Sequence, residues 1–190
     1  MNKLRYSGAI VIILMISSLV LGMASAFAQD QSQGSVTDQN EEVRGEFGNW
    51  LQVCAQGTDQ CVAVQFALDV QGEQAARFVL ERLTNNTENP ADSVITFFIP
   101  FESSIPVLPA GLSFTVDANE SFLEQFLYCD PAGCTSQFGI TNQGVDLFKQ
   151  GANLTIQVTD VRNPNSTYIV DLDLDQFTSI YESLKEEDSG

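Results

Sequence analysis

The residues of this chain whose types and spacing could do chemistry are four cysteines, set as two close pairs: Cys54 with Cys61, and Cys129 with Cys134. A thiol can act as a nucleophile, hold a soft metal or close a disulfide. Neither spacing is the C-x-x-C of a redox pair, and neither pair opens a helix that would lower a thiolate pKa. Gly57 with Thr58 and Asp59 lies inside the first interval, and Pro131 with Gly133 inside the second. These are turn-forming residues. Of the three connectivities that four cysteines allow, they favour the local one, Cys54–Cys61 and Cys129–Cys134. Loops this small stabilise modestly, by about 2 kcal/mol each.

The chain has no histidine. Ser-His-Asp and Cys-His catalysis, histidine metal sites and a histidine pH switch are therefore excluded. Carboxylates number 25, and no pair of them stands out from that background, so no catalytic residue is assigned. Asp171, Asp173 and Asp175 alternate with Leu172 and Leu174 and should share one strand face. Clustered oxygens suit calcium, but there is no EF-hand pattern and no glycine turn among them. A solvated outer face is the better reading, with Asp175 able to cap the helix that follows. No metal and no cofactor are expected.

The elements that must position these residues begin behind an export signal. Lys3 and Arg5 precede an apolar run from Ala9 to Gly22, and Ala26-Phe27-Ala28 supplies an A-x-A cleavage pattern. The apolar run is short against the roughly 20 residues of a spanning helix. Residues 1–28 are therefore expected to be a signal peptide cleaved after Ala28, with no membrane span in the mature chain and a periplasmic or secreted location. Such compartments are oxidising, which agrees with disulfides. Residues 29–45 are polar apart from Val36 and Val43, too poor in apolar surface to order themselves, and read as a flexible leader. Loss of Lys3 and Arg5 takes the formal net charge from −17 to −19. A field of that sign repels phosphate backbones and anionic lipid, so nucleic acid is not expected as a partner.

Residues 46–185 are expected to form a single domain, followed by a frayed tail over 186–190. Short β-branched and aromatic runs are broken by Gly, Asn, Asp and Pro, which is strand punctuation. Strands are expected over 47–54, 61–69, 76–83, 93–99, 113–117, 122–129, 134–140, 154–158 and 168–174. On the second of these, Val62, Val64, Phe66 and Leu68 form the expected buried face. Trp50 reads as a core anchor. Thr141 can cap a short helix through Val145 and Phe148, stopped by Gly151. Phe177, Ile180, Tyr181 and Leu184 recur at i, i+3, i+4 and i+7, one apolar helical face. The expected fold is mainly β: an antiparallel β-sandwich or barrel with two short α-helices, stabilised by disulfides.

An ordered set of residues carries a family resemblance. Phe47-Gly-Asn-Trp50 leads into Val53-Cys54, then Cys61-Val-Ala-Val-Gln65. Leu108-Pro-Ala-Gly-Leu112 and Val116-Asp117 follow, then Cys129-x-x-x-Gly133-Cys134, Phe148-Lys149-x-Gly151 and the amphipathic run Phe177 to Leu184. This order resembles the invasion-associated locus B family of secreted or periplasmic α-proteobacterial proteins. The resemblance implies a small, disulfide-bonded, non-enzymatic protein of the cell envelope, with no catalytic residues to carry over. The family name refers, in some pathogens, to entry into host red cells. The chain departs from the family pattern at Pro100-Phe-Glu-Ser-Ser-Ile-Pro-Val-Leu-Pro109, which is longer and contains Glu102.

Three prolines keep that segment from pairing fully in a sheet, yet it stays apolar. Phe101, Ile105, Val107 and Leu108 are therefore the candidate contact for an unidentified protein or envelope partner, against the plainer reading that they cap the core. The functional expectation is a non-enzymatic envelope or interaction protein, associated with host cells or the envelope. The alternatives are a small-molecule-binding β-domain, which needs a closed apolar cavity, and an extracytoplasmic carboxylate-based hydrolase, which needs two converging carboxylates in a cleft.

Overall fold

The computed structural model describes residues 40–83 and 91–187. The expected signal peptide and its cleavage site lie outside the described residues, as does most of the leader. Eleven strands and two α-helices run in the order β1 (Glu41–Phe47), β2 (Trp50–Ala55), β3 (Cys61–Asp69), β4 (Gln74–Arg82), β5 (Ser93–Pro100), β6 (Leu112–Val116), β7 (Phe122–Glu124), β8 (Phe126–Cys129), β9 (Gly133–Ile140), α1 (Asn142–Gln150), β10 (Asn153–Thr159), β11 (Thr167–Asp173) and α2 (Phe177–Glu187). A 3-10 turn spans Leu108–Ala110. All ladders between named strands are antiparallel, and all eleven strands belong to one sheet.

The sheet curls until it almost closes. Its main path is β7-β6-β10-β11-β3-β4-β5-β9-β8, with β1 and β2 added beside the first half of β3. The two ends of that path, β7 and β8, are consecutive in the chain and separated by Gln125 alone. The expected single strand over 122–129 is thus split. Phe122–Glu124 pairs with β6, while Phe126–Cys129 pairs with β9. Ser136 Oγ donates to the Gln125 carbonyl at 2.8 Å, tying the crossing point down. A barrel solves the problem of exposed sheet edges, and here one chain segment serves both edges.

The interior is filled with aromatic rings. Trp50 sits edge-on to Phe78 and Phe177, at 6.0 and 5.5 Å between ring centres. Phe148 of α1 meets Phe177 of α2 at 5.5 Å. On the other side Phe114 meets Phe138, Phe122 and Phe97 at 4.9, 5.3 and 6.1 Å. Such edge and offset contacts add to the area term of burial. Space for these rings comes from small neighbours, and this inverts one expectation. On β3 it is Ala63, Gln65 and Ala67 that turn inward with the core, while of the expected face Val64 is fully buried, Val62 and Phe66 are half-buried and Leu68 is exposed. Alternation marked a two-faced strand correctly. It could not say that alanine would be chosen to lie under Trp50 and α2.

Other boundaries move for local reasons. Residues 41–45 of the expected leader form most of β1, which pairs with β2 through the two-residue turn Gly48-Asn49. Gly48 has φ +61°, the positive value that the first position of a tight hairpin turn requires and glycine adopts without strain. The chain's own ladder, rather than apolar burial, orders those residues. Residues 186 and 187 belong to α2 instead of the tail. Thr141 occupies the N-cap of α1 without a side-chain cap bond; Asp92 takes that place, accepting from the Asn142 backbone N–H at 2.6 Å and its side-chain amide at 2.9 Å. The α2 face is as expected, with Phe177, Ile180, Tyr181 and Leu184 all buried.

Candidate partner-contact surface

Both cysteine pairs are disulfides, Cys54–Cys61 and Cys129–Cys134. Each joins directly opposed residues of a hairpin, Cys54 across from Cys61 on β2–β3 and Cys129 across from Cys134 on β8–β9. No described cysteine is free. Their role is to clamp two hairpins.

The segment after β5 is pinned from three sides. Phe101 N–H donates to the Ala132 carbonyl at 3.1 Å. Val107 N–H donates to Thr159 O at 2.8 Å, and Val161 N–H donates to Ile105 O at 2.9 Å. Pro106 forms a single bridge with Asp160. The clamp at the centre is Asp160, only 7% exposed. Its carboxylate accepts the Arg162 Nε–H at 3.0 and 3.1 Å, the Arg162 backbone N–H at 2.7 Å and the Ile105 N–H at 3.3 Å. Arg162 Nη2 reaches on to Ser103 O at 2.9 Å. The Arg162 guanidinium holds the Asp160 carboxyl far below the ordinary carboxylate range. Burial pushes the nearby Tyr168 hydroxyl upward.

This clamp divides the four candidate residues. Phe101 packs against the core as a half-buried ring, and Val107 is half-buried. Ile105 is 36% exposed and Leu108 46% exposed. Val161, bonded through its backbone to Ile105, is also exposed. The apolar segment is therefore part core cap and part surface. Asp160 and Arg162 carried no sequence signal beyond their i, i+2 spacing beside Asn163-Pro164-Asn165, and only the packing of the segment against the β10–β11 turn brings them to it. Farther along the bridging strand, Leu123 and Leu127 are exposed too. Asp171 and Asp173 face outward on β11 as expected. No described group of three or more acidic or cysteine residues could hold a metal ion.

The order of elements, the two hairpin disulfides and the final helix coincide with a match to the family model "Invasion associated locus B (IalB) protein", over residues 50–185. The chain belongs to the invasion associated locus B family. A solved structure, the crystal structure of invasion associated protein B from Bartonella henselae, shares its fold with a TM-score of 0.61. That likeness covers 77% of this chain and 98% of the other at 17% identity, so it speaks to fold alone. No curated protein matches the chain significantly. The family match begins at Trp50, so β1 lies before it. Disulfides of this kind belong to proteins outside the reducing cytoplasm, and no described helix is long and apolar enough to cross a membrane.

Proposed function

We propose that this member of the invasion associated locus B family is a periplasmic or secreted interaction protein with no chemistry of its own, exported by residues 1–28 and cleaved after Ala28. It works by binding a protein of the envelope or of a host cell. The observation that carries the reading is the exposed apolar pair Ile105 and Leu108 on a segment locked by Asp160 and Arg162. Apolar side chains held rigidly in water are a preorganised contact, because little ordering entropy is left to lose on binding. Among the described residues the barrel interior is packed with phenylalanine rings, which favours a surface function over a small-molecule pocket.

Affinity capture with the mature protein from envelope extract tests this. Ile105→Asp should fold normally and lose the captured partner. Val107→Asp should lower the melting temperature, since its side chain is half-buried and an unpaired aspartate there is costly. If the folded Ile105→Asp and Leu108→Asp variants both retain the partner, the contact lies elsewhere.

A further inference from the structure

The strand registers gather four connections at one end of the barrel. Asp69, at the end of β3, pairs with Val170 near the start of β11, so the β3–β4 and β10–β11 turns are neighbours. Arg77 pairs with Phe98, which brings the end of β5 beside the start of β4. Pro100 pairs with Gly133, which sets the β5–β6 connection against the β8–β9 turn. Leu112 pairs with Val158, which returns that connection to the β10–β11 turn. Both helices leave from the opposite end. Ile140, before α1, pairs with Ser93 at the start of β5, and Asp173, before α2, pairs with Asn153 at the start of β10.

Among the described residues nine large apolar side chains are exposed. Six of them stand on these connections or within two residues of them: Leu68, Val70, Ile105, Leu108, Tyr128 and Val161. Val70 is the most exposed, at 72%. Apolar residues scattered singly over a surface are ordinary, whereas a gathering at one place marks a contact. The turns that carry them are held by their own carboxylates. Asp69 Oδ1 accepts from the Gln71 and Glu73 N–H groups at 2.9 and 3.0 Å. Asp130 Oδ1 accepts from the Ala132 and Gly133 N–H groups at 2.8 and 3.1 Å. With Asp160 holding Ile105, the rim is preorganised on three of its four connections.

Charge decides what this rim can receive. Residues 69–74, 100–111, 129–133 and 159–167 hold five carboxylates, Asp69, Glu73, Glu102, Asp130 and Asp160, and one cation, Arg162. That cation is already paired with Asp160. We propose that the helix-free end of the barrel is a single docking surface for a cationic protein segment that carries apolar side chains. The apolar residues supply the buried contact, and the carboxylates around them select the sign of the partner and steer its approach. An anionic lipid surface is repelled by the same carboxylates, and a second copy of this chain would set like charge against like. The proposal rests on the reading of Ile105 and Leu108 as contact residues. It widens that contact to Val70, Tyr128 and Val161 and adds the partner's charge.

The test is a two-dimensional amide NMR titration of the mature protein with three soluble peptides and with vesicles. The peptides alternate leucine with lysine, serine with lysine, and leucine with glutamate; the vesicles are phosphatidylcholine with and without phosphatidylglycerol. The leucine–lysine peptide should give saturable shifts at Val70, Leu108, Tyr128 and Val161 together. It should bind about tenfold more tightly than the serine–lysine peptide, and the leucine–glutamate peptide and both vesicles should shift none of these residues. Val70→Ser and Leu108→Ser should each weaken binding severalfold while the rest of the spectrum stays native. Glu73→Gln with Glu102→Gln should weaken it and flatten its salt dependence. Val43→Ser, an exposed apolar position on β1 away from the rim, should change nothing. Shifts confined to Ile105 and Leu108, with Val70→Ser neutral, would leave the narrower contact standing and overturn the wider one. Equal binding of the serine–lysine or leucine–glutamate peptide, vesicle binding through these residues, or no saturable shift with any peptide would each overturn the proposal, whatever Ile105→Asp does to partner capture.

Discussion

Arg162 wraps Asp160 at three points, with Nε 3.0 and 3.1 Å from the two carboxylate oxygens and Nη2 2.5 Å from Oδ2. The pair lies at the turn after β10 and holds a segment almost sixty residues earlier, through Ile105 N–H and Ser103 O. This ion pair thus joins the backbone bonds of Val107 and Val161 in fixing how the apolar segment is displayed. Asp160→Ala should release it, lower the melting temperature by several degrees and expose protease sites between Ser103 and Val107. Limited proteolysis with mass mapping checks this. Arg162→Gln should do the same in the same direction, because it leaves a nearly buried carboxylate without its cation.

The same carboxylate sets an acid-range prediction. Its folded pKa is depressed below the ordinary 3.8. Its contribution is therefore complete above that value and is lost as pH falls towards the folded pKa. Melting temperatures of wild type and Asp160→Asn should differ by a constant amount from neutral pH down to about 5, and the gap should narrow progressively below about 4 into strong acid. A gap that stays constant down to strong acid would contradict the pairing.

Glu124 gives the opposite sign. It sits on the bridging strand beside Leu112, and burial raises its pKa. The folded state therefore disfavours the charged form, and this penalty fades as pH falls through the folded pKa. Glu124→Gln should raise the melting temperature at pH 7 and have no effect near pH 3. Thermal scans at both pH values read it directly.

The closure of the sheet depends on Gly111. Its backbone, at φ 66° and ψ −157°, lies in a region open essentially to glycine alone. A side chain there would also run into the Glu124 carbonyl where the segment crosses between β7 and β8. Gly111→Ala should cost about 3 kcal/mol or more, measured by urea unfolding. Trp50, the sole tryptophan and fully buried, should report the transition by a red shift of its emission.

The disulfides should differ in accessibility. Cys129 is exposed, while Cys54 is fully buried. Mild reductant should open Cys129–Cys134 faster than Cys54–Cys61, since Cys129 is exposed and Cys61 only half-buried, while Cys134 and Cys54 are both buried. Replacing either pair with alanine should cost about 2 kcal/mol, as small closed loops do. Peptide mapping after timed alkylation gives the order.

Much of this protein was legible in its residues. The turn chemistry between Cys54 and Cys61 and between Cys129 and Cys134 specified local pairing, because a hairpin brings its own ends together. The 3.6-residue recurrence of Phe177, Ile180, Tyr181 and Leu184 specified the buried face of α2, because a helix presents such positions on one side. The ordered motifs specified the family. What a strand's alternation leaves open is which of its two faces meets the core; packing put Ala63 and Ala67 in the cluster with Trp50, while Val64 is buried and Val62 and Phe66 only half-buried. Likewise the break at Gln125 and the clamp of Asp160 on Ile105 join positions far apart in the chain. Local propensity has no term for such pairs. They exist because the sheet curls, and its curvature is a property of all its strands together.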